Sequence, residues 1–120
     1  MVAKKTKNHT SKFKISGVEF GGKTLPIFAG PNMVESKKLI FDVAKNVKKI
    51  GAHFLRGGAF KPLTFPYRSK KYNETREEGI QWLGEAKRKY KIPVITEVME
   101  EKFLPLICEG ADILQIGSRN

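Results

Sequence analysis

Apolar and polar positions divide the chain into short strand-like runs and longer stretches with helical spacing. Residues 13–15 and 18–20 alternate about Ser16-Gly17, which predicts a small hairpin. Residues 25–29 (LPIFA) form a short apolar run closed by Gly30-Pro31, the pattern of a buried strand. From Glu35 to about Lys49, Ile40, Val43, Ala44, Val47 and Ile50 recur every three or four positions and predict an amphipathic helix. Lysines 37, 38, 45, 48 and 49 take much of its other face, and Gly51 stops it. Residues 53–56 (HFLR) predict a second strand. A long loop with Pro62 and Pro66 leads to a helix over about 74–90, with Ile80, Leu83, Ala86 and Tyr90 inward and Trp82 beside them. Residues 93–96 (PVIT) predict a third strand and 99–109 a short helix, whose Pro105 is tolerable only in the first turn. Residues 111–116 (ADILQI) predict a fourth strand.

The predicted order is a hairpin followed by β-α-β-α-β-α-β. Such alternation means an α/β fold with parallel strands and right-handed crossovers. Glycines and polar residues collect just after each of the four strands, at 30–32, 56–61, 97 and 117–120. In barrels and open sheets of parallel strands, the carboxyl ends carry the chemistry. No internal repeat is visible.

Composition narrows the function classes. The chain has 120 residues, one cysteine (Cys108) and a net charge of +11. A single cysteine excludes an internal disulfide framework and fits a reducing, cytoplasmic setting. No apolar run approaches the roughly 20 residues of a membrane helix, and the start, MVAKKTKNHTSKFK, is too polar for a signal peptide. Charge is uneven: residues 1–23 hold six lysines against Glu19, while 97–112 hold five carboxylates against Lys102. Residues 1–12 read as a flexible basic leader ahead of a domain over 13–120. The solubilising reading of that leader is preferred to nucleic-acid binding, because no recognisable binding module accompanies it and the aromatics do not interleave with basic residues.

Three cations stand at the strand ends: Arg56, Lys61 and Arg119. Converging in a parallel-sheet mouth, they would suit a compact polyanion such as a phosphorylated carboxylate, Arg gripping it with paired hydrogen bonds and Lys as a point charge. Taken singly, each also fits an ordinary exposed loop residue. Gly57, Gly58 and Gly117 beside them permit close backbone approach. Glu97 reads first as a structural partner of Lys61 or Arg119, and second as a group orienting a cation or acting as a general base. His53 begins a strand, at the end away from chemistry, and reads as a packed or edge histidine. Cys108, among Leu106 and Ile107, reads as a buried thiol. One Cys and two scattered His assemble no metal site.

The segments FAGPNMVES (28–36), LRGGAFKPLTFPY (55–67), EEGIQWL (77–83), PVITEVM (93–99) and ADILQIGSRN (111–120) together resemble 3-deoxy-D-arabino-heptulosonate 7-phosphate (DAHP) synthases. The nearest subgroup is the one shared with 3-deoxy-D-manno-octulosonate 8-phosphate (KDO8P) synthases. The resemblance implies about the first half of a TIM barrel with a small N-terminal hairpin closing its bottom. It implies condensation of phosphoenolpyruvate with a phosphorylated aldose, erythrose 4-phosphate for DAHP synthase, at the head of the shikimate pathway. By the same resemblance Arg56, Lys61, Glu97, Ser118 and Arg119 line the phosphoenolpyruvate site, with Lys61 as the catalytic lysine, and Gly30 and Pro31 shape the first loop.

Three departures qualify it. The family's first loop usually reads GPC, whose cysteine ligates a divalent metal; here Asn32 takes that place, as in metal-independent KDO8P synthases, so no metal or other cofactor is expected. KPLTFPY replaces KPRTSPY, so Leu63 and Phe65 alter the aldose-phosphate segment and leave Thr64 as its candidate ligand. The loop before EEG is about three residues longer and lacks its usual glycines. A full (β/α)₈ barrel takes about 250 residues. The expectation is therefore a partial barrel that works with a second copy or a separate C-terminal half, on small phosphorylated substrates, and not alone. A non-catalytic remnant that still binds such anions is the alternative, and a part of a metal-independent KDO8P-type synthase is a further one.

Overall fold

The computed structural model describes residue 6 and residues 8–60 and 74–118. Lys61, Thr64 and Arg119 lie outside the described residues, as does part of the expected leader.

The hairpin forms as its alternation predicts: β1 (Phe13–Ile15) pairs antiparallel with β2 (Val18–Phe20). Ser16 and Gly17 both take positive φ, at 48° and 82°, the requirement of a tight two-residue turn. Then come β3 (Phe28–Ala29), α1 (Lys37–Lys49), β4 (Phe54–Arg56), α2 (Arg76–Tyr90), β5 (Val94–Val98), a 3₁₀ turn (Glu101–Phe103), α3 (Leu104–Gly110) and β6 (Ile113–Ile116). The four later strands make one parallel sheet in the order β3-β4-β5-β6. The predicted strand–helix alternation and parallel topology are both present.

Register and burial separate two faces. Leu55 pairs with Val94, and Thr96 and Val98 follow Val94 at strand period, so these residues share the helix-covered face, on which all four are buried. Behind that face Ile40, Ala44 and Val47 of α1, Ile80, Leu83 and Ala86 of α2, and Ile107 of α3 complete the main core. The opposite face carries Phe28 and Phe54 at its amino end and Arg56, Ile95 and Glu97 toward its carboxyl end. Phe20 of the hairpin lies against Phe28 and Phe54 at ring-centroid distances of 6.0 and 5.7 Å and stacks on Phe13 at 4.8 Å. The hairpin thus covers the amino end of the open face and leaves its carboxyl end free.

Several local expectations are corrected. The strand expected over 25–29 begins only at Phe28, because Leu25 and Ile27 are exposed and the Ile27 carbonyl accepts from both His53 N (2.9 Å) and Phe54 N (3.1 Å). Helix α1 starts at Lys37, with the Ser36 hydroxyl accepting from Leu39 N at 3.2 Å as an N-cap. Ile50, expected on the inner stripe, is the C-cap and is 77% exposed; Gly51, at φ 84°, ends the helix as predicted. Helix α2 begins at Arg76, and β5 runs on to Val98. Pro105 sits in the first turn of α3, where a missing N–H costs nothing. Cys108 is exposed, not buried.

Candidate functional site

The carboxyl end of the open face gathers the polar groups. Arg56 is the last residue of β4 and is paired in register with Ile95; Glu97 lies two residues further along β5, on the same face. Their side chains are 18% and 14% exposed, and Arg56 Nη2 stands 3.7 Å from a Glu97 carboxylate oxygen. Glu97 therefore has Arg56 as its described partner; Lys61 and Arg119, its expected partners, fall outside the described residues. Gln115 of β6 is paired with Glu97 and extends this polar row to a third strand. Sequence reasoning overlooked Gln115, although strand period from Ile113 places it there.

The first loop is tied to the same guanidinium. Arg56 Nη1 donates to the carbonyls of Pro31 (3.2 Å) and Asn32 (2.8 Å), and lies 3.3 Å from Asn32 Oδ1. Gly30 makes the approach possible: at φ 153°, a Cβ on it would collide with the Arg56 carbonyl. On the far side, the Val34 amide donates to Gly58 O at 2.9 Å and Thr75 Oγ1 donates to Val34 O at 2.8 Å. Loop 30–34, loop 57–60 and the start of α2 are thus joined through backbone carbonyls.

Behind the row stands Thr96, fully buried, whose hydroxyl donates to Gly57 O at 2.6 Å. Gly57 N in turn donates to Ile95 O at 3.2 Å. A Cβ on Gly57 would press on Val34 and Leu83 at 2.9 and 3.1 Å, so only glycine lets the chain pass between sheet and helices directly after Arg56. Ser118 is exposed in the turn after β6, and Gly117 beside it is half-buried. His53 lies at the other end of the sheet, where its Nδ1 accepts from Ile27 N at 3.0 Å; it is the edge histidine expected.

The arrangement offers an oriented guanidinium. Nη1 is committed to the first loop, whereas Nη2 has the longer Glu97 contact, so one edge of the fork is available to an incoming carboxylate or phosphate. Asn32 presents a neutral amide oxygen with a guanidinium 3.3 Å away, and among the described residues no three His, Cys, Asp or Glu side chains gather.

Residues 4–120 match the model of the DAHP synthetase I family. The chain is 40% identical over 106 residues to the phospho-2-dehydro-3-deoxyheptonate aldolase of Thermotoga maritima, covering 88% of this chain and 30% of that one. It is 33% identical over 118 residues to the 2-dehydro-3-deoxyphosphooctonate aldolase of Fusobacterium nucleatum, covering 91% and 41%. The crystal structure of the Thermotoga maritima DAHP synthase superposes with a TM-score of 0.82 at 36% identity, over 95% of this chain and 32% of that one. The chain therefore spans about a third of the length of the relatives it matches.

Proposed function

From the chain's membership of the DAHP synthetase I family, we propose that its strand ends bind phosphoenolpyruvate and form part of a 3-deoxy-7-phosphoheptulonate synthase site. The fold is part of an aldolase-type TIM barrel. The reaction joins C3 of phosphoenolpyruvate to the carbonyl carbon of erythrose 4-phosphate, with loss of phosphate and uptake of water, and leads toward aromatic amino acids. The observation that carries the reading is Arg56: a guanidinium at a strand carboxyl end, oriented by two loop carbonyls and flanked by Glu97. Arg56 grips a carboxylate or phosphate with its free edge, and Glu97 holds it in place. Lys61 and Arg119 supply the remaining positive charge, Lys61 as the catalytic lysine, the Ser118 backbone adds a donor, and Thr64 contacts the aldose phosphate. Small phosphorylated molecules are thus the substrates, and further barrel strands, from a second copy or another polypeptide segment, complete the site.

The reaction proceeds without a resident divalent metal at the first loop, a reading supported by the poor fit of Asn32 and its guanidinium neighbour to a cation. Asn32 also favours a second reading, the KDO8P-type condensation. An eight-carbon product from three-carbon phosphoenolpyruvate requires a five-carbon aldose phosphate, against four carbons for the seven-carbon product. One assay tests both. The chain is combined with a polypeptide supplying the later strands of a relative's barrel, and phosphoenolpyruvate consumption is followed with four-carbon and five-carbon aldose phosphates, with and without a chelator. Consumption that requires both polypeptides and survives the chelator supports the proposal. Silence with either aldose while phosphoenolpyruvate still binds replaces it with a non-catalytic anion-binding remnant.

A further inference from the structure

On the open face, β5 and β6 change character at the same level. Ile95 is paired with Ile113, and two residues further on Glu97 is paired with Gln115. Both strands therefore turn from apolar to polar where they enter the strand-end site. Gln115 is the one polar residue of β6 (Ile113–Ile116) and is half-buried. Its carboxamide has no hydrogen-bond partner among the described residues, so its donor and its acceptor are both available.

Across the mouth the polar groups come in a fixed order. The Arg56 guanidinium is first, the Glu97 carboxylate stands 3.7 Å from it, and the Gln115 carboxamide follows on the next strand. The guanidinium suits an anion, whereas Glu97 disfavours one beside Gln115. What suits the Glu97–Gln115 pair is a neutral group that donates one hydrogen bond and accepts another, which is a hydroxyl. Neighbouring parallel strands lie about 4.8 Å apart. An acceptor and a donor side by side on them can thus both reach one oxygen between them at ordinary hydrogen-bond length. The ion pair with Arg56 uses Glu97 Oε2 and leaves Oε1 for this contact.

We infer that Gln115 is a specificity-determining residue that, with Glu97, binds a hydroxyl of the aldose. The hydroxyl donates to the Glu97 carboxylate and accepts from the Gln115 amide. It is the one on the carbon next to the aldehyde. The aldehyde carbon has to meet C3 of phosphoenolpyruvate beside Arg56, and its immediate neighbour then falls over the adjoining strands. Four-carbon and five-carbon aldose phosphates both carry this group. The assignment rests on the phosphoenolpyruvate reading and adds to it a contact for the second substrate.

Calorimetry on the 120-residue chain tests it, first with phosphoenolpyruvate alone and then, with phosphoenolpyruvate present, with erythrose 4-phosphate and its 2-deoxy analogue. Gln115→Leu keeps the bulk of the side chain and removes the amide. It should leave phosphoenolpyruvate affinity unchanged and weaken erythrose 4-phosphate about tenfold, the loss expected when a hydrogen-bond partner is removed. The 2-deoxy analogue should bind the wild-type chain about tenfold more weakly than erythrose 4-phosphate, and Gln115→Leu should weaken it no further. With phosphoenolpyruvate bound, three results would overturn the assignment: an aldose affinity that Gln115→Leu leaves unaltered, an equal loss for both aldoses, or no aldose binding to the wild-type chain. Failure of phosphoenolpyruvate to bind the wild-type chain would instead overturn the reading beneath it.

Discussion

Replacing Thr96 by valine removes one hydroxyl from the centre of the molecule at almost constant shape. Thr96 is wholly buried, and its 2.6 Å bond is the described partner of the Gly57 carbonyl on the side away from the ladder. Deleting the donor forfeits a net hydrogen bond of about 1 kcal/mol and leaves a buried carbonyl unsatisfied, for a total of about 1–3 kcal/mol. The added methyl recovers only part of this in a packed interior. For a chain of this size, a loss of about 2 kcal/mol lowers the thermal midpoint by about 6–12 °C. Gly57 directly follows Arg56, so phosphoenolpyruvate affinity should fall along with stability. Thr96→Ser is the control: it keeps the donor, gives up a methyl group worth about 1 kcal/mol, and should retain affinity. Circular-dichroism melts and calorimetry on both variants read the two effects. If Thr96→Val is as stable as wild type while Thr96→Ser is weaker, the methyl and not the hydroxyl matters at this position, and the reasoning is refuted.

Asp112 is bound by Lys87 at 2.9 Å, by the Val94 amide at 2.9 Å and by the Ser16 hydroxyl at 3.3 Å, so it joins α2, β5 and the hairpin turn. Asp112→Ala should cost about 2–3 kcal/mol in chemical denaturation; a cost within error would show that these contacts contribute nothing. Lys91 caps α2 in the left-handed region, at φ 50°. Lys91→Gly should therefore stabilise by about 0.5–1 kcal/mol, while its carbonyl keeps the bond from Lys48 Nζ; a lower melting temperature would contradict this. Gly30→Ala should displace the first loop from Arg56 and abolish phosphoenolpyruvate binding, and retained affinity would show that this close approach is dispensable.

The fold was legible where hydrophobic period and turn chemistry agree. Ser16-Gly17, the stripe of Ile40, Ala44 and Val47, and the glycine stop at 51 are local signals, and each has its expected place. Ile50 was misjudged because the helical period was carried one residue past the helix, of which it is the C-cap, and Cys108 because apolar neighbours in sequence do not share a helical face: successive residues are about 100° apart. Ile107 points into the core and Cys108 does not. Thr96 and Asp112 were not singled out because their partners are remote. The carbonyl of Gly57 lies 39 positions from Thr96, and Ser16 lies 96 from Asp112. In the site, the strand-end position of Arg56 was readable from the pattern, but its grip on the Pro31 and Asn32 carbonyls depends on a close approach that only the folded geometry at Gly30 reveals.

The central claim is that the carboxyl ends of the strands form a site for a phosphorylated carboxylate organised by Arg56. Calorimetric titration of phosphoenolpyruvate into the 120-residue chain, beside Arg56→Ala and Arg56→Lys, tests it most directly. The account predicts saturable binding to the wild-type chain, a loss of at least about tenfold for Arg56→Ala, and incomplete recovery by Arg56→Lys, whose point charge lacks the paired donors. Equal affinity in all three proteins, or no binding to the wild-type chain, would contradict it.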